Sequence, residues 1–90
     1  MKYVVYYDAR AAKELAKIDR PFQILIKRRI EQLAENFQST AANLKPLKGK
    51  YDYYRLRVGS YRVVFHKDEG LFIITIVRIG HRKNIYRDFD

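Results

Sequence analysis

Two short segments of this 90-residue chain gather groups that can hold an anion. Residues 53–62 read YYRLRVGSYR and contribute Arg55, Arg57 and Arg62; residues 79–87 read IGHRKNIYR and contribute His81, Arg82, Lys83, Tyr86 and Arg87. Neither segment contains an acidic residue. Arginine presents planar, paired donors that match phosphate oxygens, and a nearby aromatic ring offers a stacking surface for an unpaired base. If Gly59-Ser60 is a two-residue turn, Arg57 lies directly across from Arg62 on the two strands of one hairpin. Like charges facing each other cost some tenths of a kcal/mol, roughly the lower part of the 0.2–1 kcal/mol range of cross-strand terms. Two side chains splayed into water would feel little of that cost. The second basic segment tips the reading from a solvated surface toward an anion site.

Other chemistries fit poorly. Two histidines, no cysteine and no helical histidine spacing argue against a zinc site. No acidic cluster suggests a two-metal nuclease, and Lys48-Gly49-Lys50 lacks the glycine spacing of a phosphate-binding loop. No metal or cofactor is therefore expected. His66 lies four residues from Arg62, about 13 Å along a strand, and reads as a structural or surface residue.

These groups need elements to position them. Residues 2–7 (KYVVYY) are β-branched and aromatic, a strand signal. Asp8 then caps a helix with Ala11 or Ala12, Leu15 and Ile18 on one side. Asp19 and Arg20-Pro21 start a second helix, in which Phe22, Ile26, Ile30, Leu33 and Phe37 form an apolar stripe. Its other side, with Lys27, Arg28, Glu31, Gln32 and Glu35, reads as solvated. Gln38 to Lys50 reads as a loop. The rest alternates as an antiparallel meander over 51–58, 61–67 and 71–79. A Gly-X pair suits a type II′ turn, which places Tyr54, Leu56, Val58, Tyr61, Val63 and Phe65 on one face and Tyr53, Arg55, Arg57, Arg62, Val64 and His66 on the other. The expected fold is α+β: an N-terminal strand and two helices packed on a mainly antiparallel sheet, with a short C-terminal helical or tail segment.

Composition bounds the rest. Ninety residues with 48% hydrophobic and 32% charged content suit one folded domain, residues 1–90. MKYVVYY is too short for an export signal, and the Leu71–Val77 stretch is too short to span a bilayer. A cytoplasmic location and no membrane contact are expected. A net charge of +9 points to a polyanionic partner. From Lys45 to Arg87 eleven basic residues face three acidic ones, so the excess lies mainly in the second half.

Taken together, LKGKYDYYRLRVGSYRVVF and VRIGHRKNIYR resemble the RelE/ParE toxin superfamily, and the RelE-like mRNA interferases in particular. The likeness is strongest over residues 44–87. It implies a metal-independent endoribonuclease, the toxin of a type II toxin–antitoxin pair, that cuts mRNA in the ribosomal A site by attack of the RNA's own 2′-hydroxyl. By motif position it implies that Arg55 and Arg57 are the basic pair of the first hairpin strand and that Arg62 stabilises the transition-state phosphate. Arg82 corresponds to an arginine near the leaving oxygen, and Tyr86 to a tyrosine that orients or stacks on substrate. Lys48, Lys50, Lys83 and Arg87 are expected to bind RNA. Well-studied members carry lysine where this chain has Arg55. Arginine stays protonated and makes a poor base, so His81 or Tyr86 is expected to help, unless electrostatic stabilisation works with little base catalysis. The resemblance also implies an acidic, partly disordered antitoxin and operator DNA bound only through the antitoxin complex. Two other activities suit the same fold: inhibition of DNA gyrase in the manner of ParE, and binding of RNA or antitoxin without cutting.

Overall fold

Asp8 opens the first helix as its position predicts. Its side-chain oxygen accepts the Ala11 N–H at 2.8 Å, and α1 runs over Ala9–Ala16. The computed structural model describes residues 2–37, 44–47, 49 and 52–85. At the corner after α1, Gln23 donates its amide to the Ile18 carbonyl at 2.7 Å and to the Ala16 carbonyl at 3.3 Å, satisfying acceptors that a helix end leaves open. The second helix, α2, spans Arg20–Glu35 with Pro21 in its first turn, where a missing N–H costs nothing. Among the described residues no helix is long and apolar enough to cross a membrane.

Among the described residues five strands form one sheet: β1 (Val4–Tyr7), β2 (Leu44–Pro46), β3 (Tyr53–Val58), β4 (Tyr61–Asp68) and β5 (Ile73–His81), in the order β1-β5-β4-β3-β2. β1 runs parallel to β5, and the other pairings are antiparallel. The expected α+β arrangement is the one observed. Within the 38–50 stretch expected to be a loop, Leu44–Pro46 forms the outer strand β2 beside β3. An edge position tolerates Pro46 because no second neighbour needs its N–H, and a three-residue strand leaves almost no periodic signal. Residues 82–85 form a turn; the remainder of the expected C-terminal segment lies outside the described residues.

The core lies between the helices and one sheet face. Ile26, Ile30 and Leu33 of the α2 stripe are fully buried, as are Leu56, Val63, Phe65, Ile74 and Ile76, each contributing about 1.5–3 kcal/mol. Phe22 at the end of the stripe stays 44% exposed, yet its ring lies 5.4 Å from that of Tyr61. Of the two alanines considered for α1, Ala11 is buried and Ala12 exposed. Lys67 follows Val63 and Phe65 on the helix-covered face. Its ammonium sits 4.0 Å from the Phe37 ring and 5.2 Å from Tyr54, and pairs with Glu69 at 2.7 Å. The sheet face opposite the helices carries the basic rows.

Candidate functional site

The β3–β4 turn sets the site. Gly59 has φ +59° and Ser60 does not enter the positive-φ region, as a type II′ turn requires. The register follows: Val58 faces Tyr61, Arg57 faces Arg62, Leu56 faces Val63 and Arg55 faces Val64. Arg55, Arg57 and Arg62 therefore share the sheet face away from the helices, and Lys45 of β2 joins them directly across from Arg55.

The like-charged rung is tolerated because Arg62 folds back on its own turn. Its Nη1 donates to the Gly59 and Tyr61 carbonyls, each at 2.8 Å. Those two carbonyl dipoles oppose the repulsion from Arg57 and hold the guanidinium in place. Among the described residues no other hydrogen bond engages its Nε and Nη2 groups. That edge is a paired donor set of the kind that matches phosphate. Arg57 is exposed and Arg62 partly buried.

The end of β5 returns beside this turn. Tyr61 pairs with His81 and Arg62 with Gly80, and the Arg82 N–H donates to the Ser60 carbonyl at 2.9 Å. Arg82 is thus tied by its backbone to the turn that carries Arg62, and its side chain is exposed. Gly80 lies in the strand opposite Arg62, with the Ile85 Cδ1 3.5 Å from where a Cβ would stand. Ile85 is fully buried there.

His81 falls out of phase with the arginines. Its partner Tyr61 belongs to the helix-covered face, and the two rings meet edge to face at 6.1 Å. The His81 Nδ1 accepts the Lys83 N–H at 3.3 Å, and its carbonyl accepts the Asn84 and Ile85 N–H groups at 2.9 and 3.1 Å. Its ring is positioned as part of the turn; Lys83 projects from the same turn and is exposed. Lys48, Lys50, Tyr86 and Arg87 lie outside the described residues.

A residue not singled out in the sequence anchors this end of β5. Val64 faces Arg78 while Phe65 faces Ile76, which makes a bulge in β5. Beyond Tyr7 the last described pairing with β1 has ended, and the Ile79 N–H is taken instead by Glu14 Oε1 at 3.0 Å. The same carboxylate accepts Arg78 Nε at 3.0 and 3.2 Å. Glu14 thereby clamps the strand just before Arg82. Its position on the helix gives no hint of this, since its partners lie more than sixty residues away.

The chain matches the family model described as the ParE toxin of the type II toxin–antitoxin system, parDE, over residues 5–86. It is 34% identical over 70 residues to toxin RelE3 of Methanocaldococcus jannaschii, covering 71% of this chain and 77% of that protein. Its fold superposes on the archaeal RelE–RelB complex from Pyrococcus horikoshii OT3 with a TM-score of 0.79 at 22% identity, covering 93% of this chain and all but 1% of that one. On the intact Escherichia coli RelBE toxin–antitoxin complex the TM-score is 0.75 at 25% identity, covering 88% and 95% of the two chains. With a hairpin register and a basic face that the sequence motifs anticipate, and with the family model matching over residues 5–86, the chain belongs to the RelE/ParE superfamily of type II toxin–antitoxin toxins.

Proposed function

We propose that this protein, acting as a single domain, is a ribosome-dependent endoribonuclease that cuts mRNA in the A site without a metal. The observation that carries the reading is the held Arg62 guanidinium, with a paired donor edge, facing Arg57 and tied through Ser60 to Arg82. In the step proposed, the 2′-hydroxyl oxygen bonds to the adjacent phosphorus and the bond to the 5′-oxygen breaks. The 2′-hydroxyl proton leaves to a base and a proton reaches the departing oxygen, giving a 2′,3′-cyclic phosphate and a 5′-hydroxyl. Arg62 and Arg57 stabilise the charge that builds on the phosphate, a type of contribution that carries much of the acceleration in such reactions. Arg55 adds charge rather than a base. Arg82 serves the leaving oxygen and Tyr86 the substrate base; His81, which its partner Tyr61 puts on the helix-covered face, is not aimed at this phosphate, and Tyr86 is the remaining acid/base candidate. Lys48, Lys50, Lys83 and Arg87 extend the cationic surface toward mRNA and the ribosome.

The partner that controls it is an acidic antitoxin, suited to a chain of net charge +9, and operator DNA is met only through that complex. The match to the ParE family model favours a second reading, inhibition of DNA gyrase without nuclease activity. Brief induction in cells, followed by mapping of mRNA ends, separates the two. Codon-phased cuts that disappear in Arg62→Ala support the nuclease; intact mRNA with accumulating gyrase–DNA cleavage complexes overturns it. Intact mRNA with neither effect favours a binding protein that does not cut.

A further inference from the structure

Glu14 and Arg78 meet β5 at the point where the strand changes phase. Phe65 faces Ile76, and continuing from that rung would set Val64 against Val77, Val63 against Arg78, Arg62 against Ile79 and Tyr61 against Gly80. The observed partners lie one residue further along: Arg78, Ile79, Gly80 and His81. Val77 is the extra residue of the bulge, and a shift of one exchanges the faces of everything after it. In the observed phase Ile79 is buried in the core across from Val63, and Gly80 stands across from Arg62. With no side chain at Gly80, the Ile85 Cδ1 comes within 3.5 Å of where a Cβ would stand, and the turn over 82–85 brings the Arg82 N–H to the Ser60 carbonyl. In the unbulged phase Ile79 would face Arg62, Arg78 would enter the core, and the Arg82 amide would lie one residue beyond Ser60.

We propose that Glu14 is a positioning residue of the anion site: it selects the bulged register of β5 and thereby sets Arg82 beside Arg62. The bulge needs a selector, because it interrupts the ladder and competes with a register that keeps every rung. Glu14 Oε1 accepts the Ile79 N–H at 3.0 Å where the pairing with β1 has ended, so a backbone donor left without a strand partner is satisfied. The same carboxylate accepts Arg78 Nε at 3.0 and 3.2 Å. That bond keeps a buried guanidinium neutralised across from Val64, whereas the unbulged phase would set it against Val63 in the core, unpaired. An RNA phosphate as the ligand comes from the nuclease reading; the geometry comes from the register alone.

Two double variants of the full chain test it. Glu14→Met with Arg78→Met and Glu14→Gln with Arg78→Met lose the same ion pair to residues of similar size, which buried sites tolerate, but only the second keeps an acceptor for the Ile79 N–H. Cross-strand NMR contacts read the register. Fluorescence anisotropy reads binding of a labelled single strand with 2′-deoxy sugars, which offers no 2′-hydroxyl for attack in any variant. With the acceptor kept, the Arg62–Gly80 contact and the parent's affinity should remain. Without it, Arg62–Ile79 contacts should appear and affinity should fall about ten-fold, the size of one lost charge-assisted bond; adding Arg82→Ala should then cost nothing further. Deleting Val77 lets 78–81 pair with 61–64 without a bulge, so it should rescue the first double variant whether the lesion shows as a slipped register or as loss of fold. An Arg62–Gly80 contact that survives loss of the acceptor, a loss that multiplies with that of Arg82→Ala, or no rescue on deleting Val77 overturns the role. The expected results in a protein that leaves cellular mRNA intact keep the role of Glu14 and remove the nuclease reading; codon-phased cutting by the parent, with no register change in the first double variant, does the reverse.

Discussion

Replacing Glu14 with alanine should damage this protein far more than the removal of an ordinary helix-surface carboxylate. Glu14 accepts Arg78 Nε through both oxygens and the Ile79 N–H through one. The Arg78 side chain is only 10% exposed and that of Glu14 23%. Breaking a buried ion pair from one side costs about 3–5 kcal/mol. Partial exposure of Glu14 lets water soften the loss, which puts the pair near the lower end, while the Ile79 N–H loses its acceptor, worth about 1 kcal/mol. The expected total is about 3–4 kcal/mol, or a fall in Tm of about 15–25 °C for a domain of this size. Urea unfolding followed by circular dichroism measures it, with an unchanged m-value marking a pure stability effect. Glu14→Gln keeps the backbone acceptor and should cost about half as much. In a cycle with Arg78→Met the coupling should exceed about 1 kcal/mol. The contrast is Glu35→Ala, whose pair with Lys2 at 3.5 Å is mostly in water and should shift stability by less than about 0.5 kcal/mol. A Glu14→Ala cost below about 1 kcal/mol, or strict additivity in the cycle, would refute the clamp.

Arg57→Ala should leave the fold intact or raise its stability by a few tenths of a kcal/mol, because it removes a like charge opposite Arg62, while reducing toxicity on induction; unfolding of this variant would show that Arg57 belongs to the core. Gly59→Ala should cost about 1–2 kcal/mol through its φ of +59° alone, since no atom stands within 4 Å of the added Cβ; equal cost for Gly59→Asn, which tolerates that region better, would contradict the turn assignment. Burial pushes the Lys67 ammonium down, but the pair with Glu69 and the nearby Tyr54 and Tyr3 outweigh it and leave the group above its usual 10.5. Burial, with a smaller effect of Glu31, raises Tyr7 above 10.0. Both groups hold their protons more tightly when folded, so their stabilisation is complete below about pH 10 and declines as pH rises further. The urea midpoint should fall over that range, less steeply in Lys67→Met; a midpoint that stays level or rises would count against it.

The legible part of the structure was the part written in local signals. Gly59-Ser60 fixed every pairing of β3 with β4, because a two-residue turn leaves one register and the alternation of Leu56, Val63 and Phe65 against Arg57 and Arg62 assigns the faces. Asp8 and the stripe through Ile26, Ile30 and Leu33 likewise announced the helices and their buried sides. What stayed hidden depended on distant partners. The strand at Leu44–Pro46 exists because β3 offers it an edge, Glu14 matters because a bulge in β5 releases the Ile79 N–H, and His81 turns to the helix side because Tyr61 is its partner. Lys67 does carry a local signal: it follows Val63 and Phe65 at alternate positions on a face otherwise apolar or aromatic.

The parallel pairing of β1 with β5 carries a consequence for how the protein is made. Val4 emerges early in synthesis, yet its partner Ile73 is added only after both helices and three strands have been translated. The sheet therefore closes late, through its longest-range contact, the kind that slows folding most. The α2 stripe is only partly covered in the meantime, an apolar surface that invites association with other chains. The backbone bond from Arg82 to Ser60 and the clamp from Glu14 likewise need β5 in place. The geometry that sets Arg82 beside Arg62 therefore comes last, once β5 is in place.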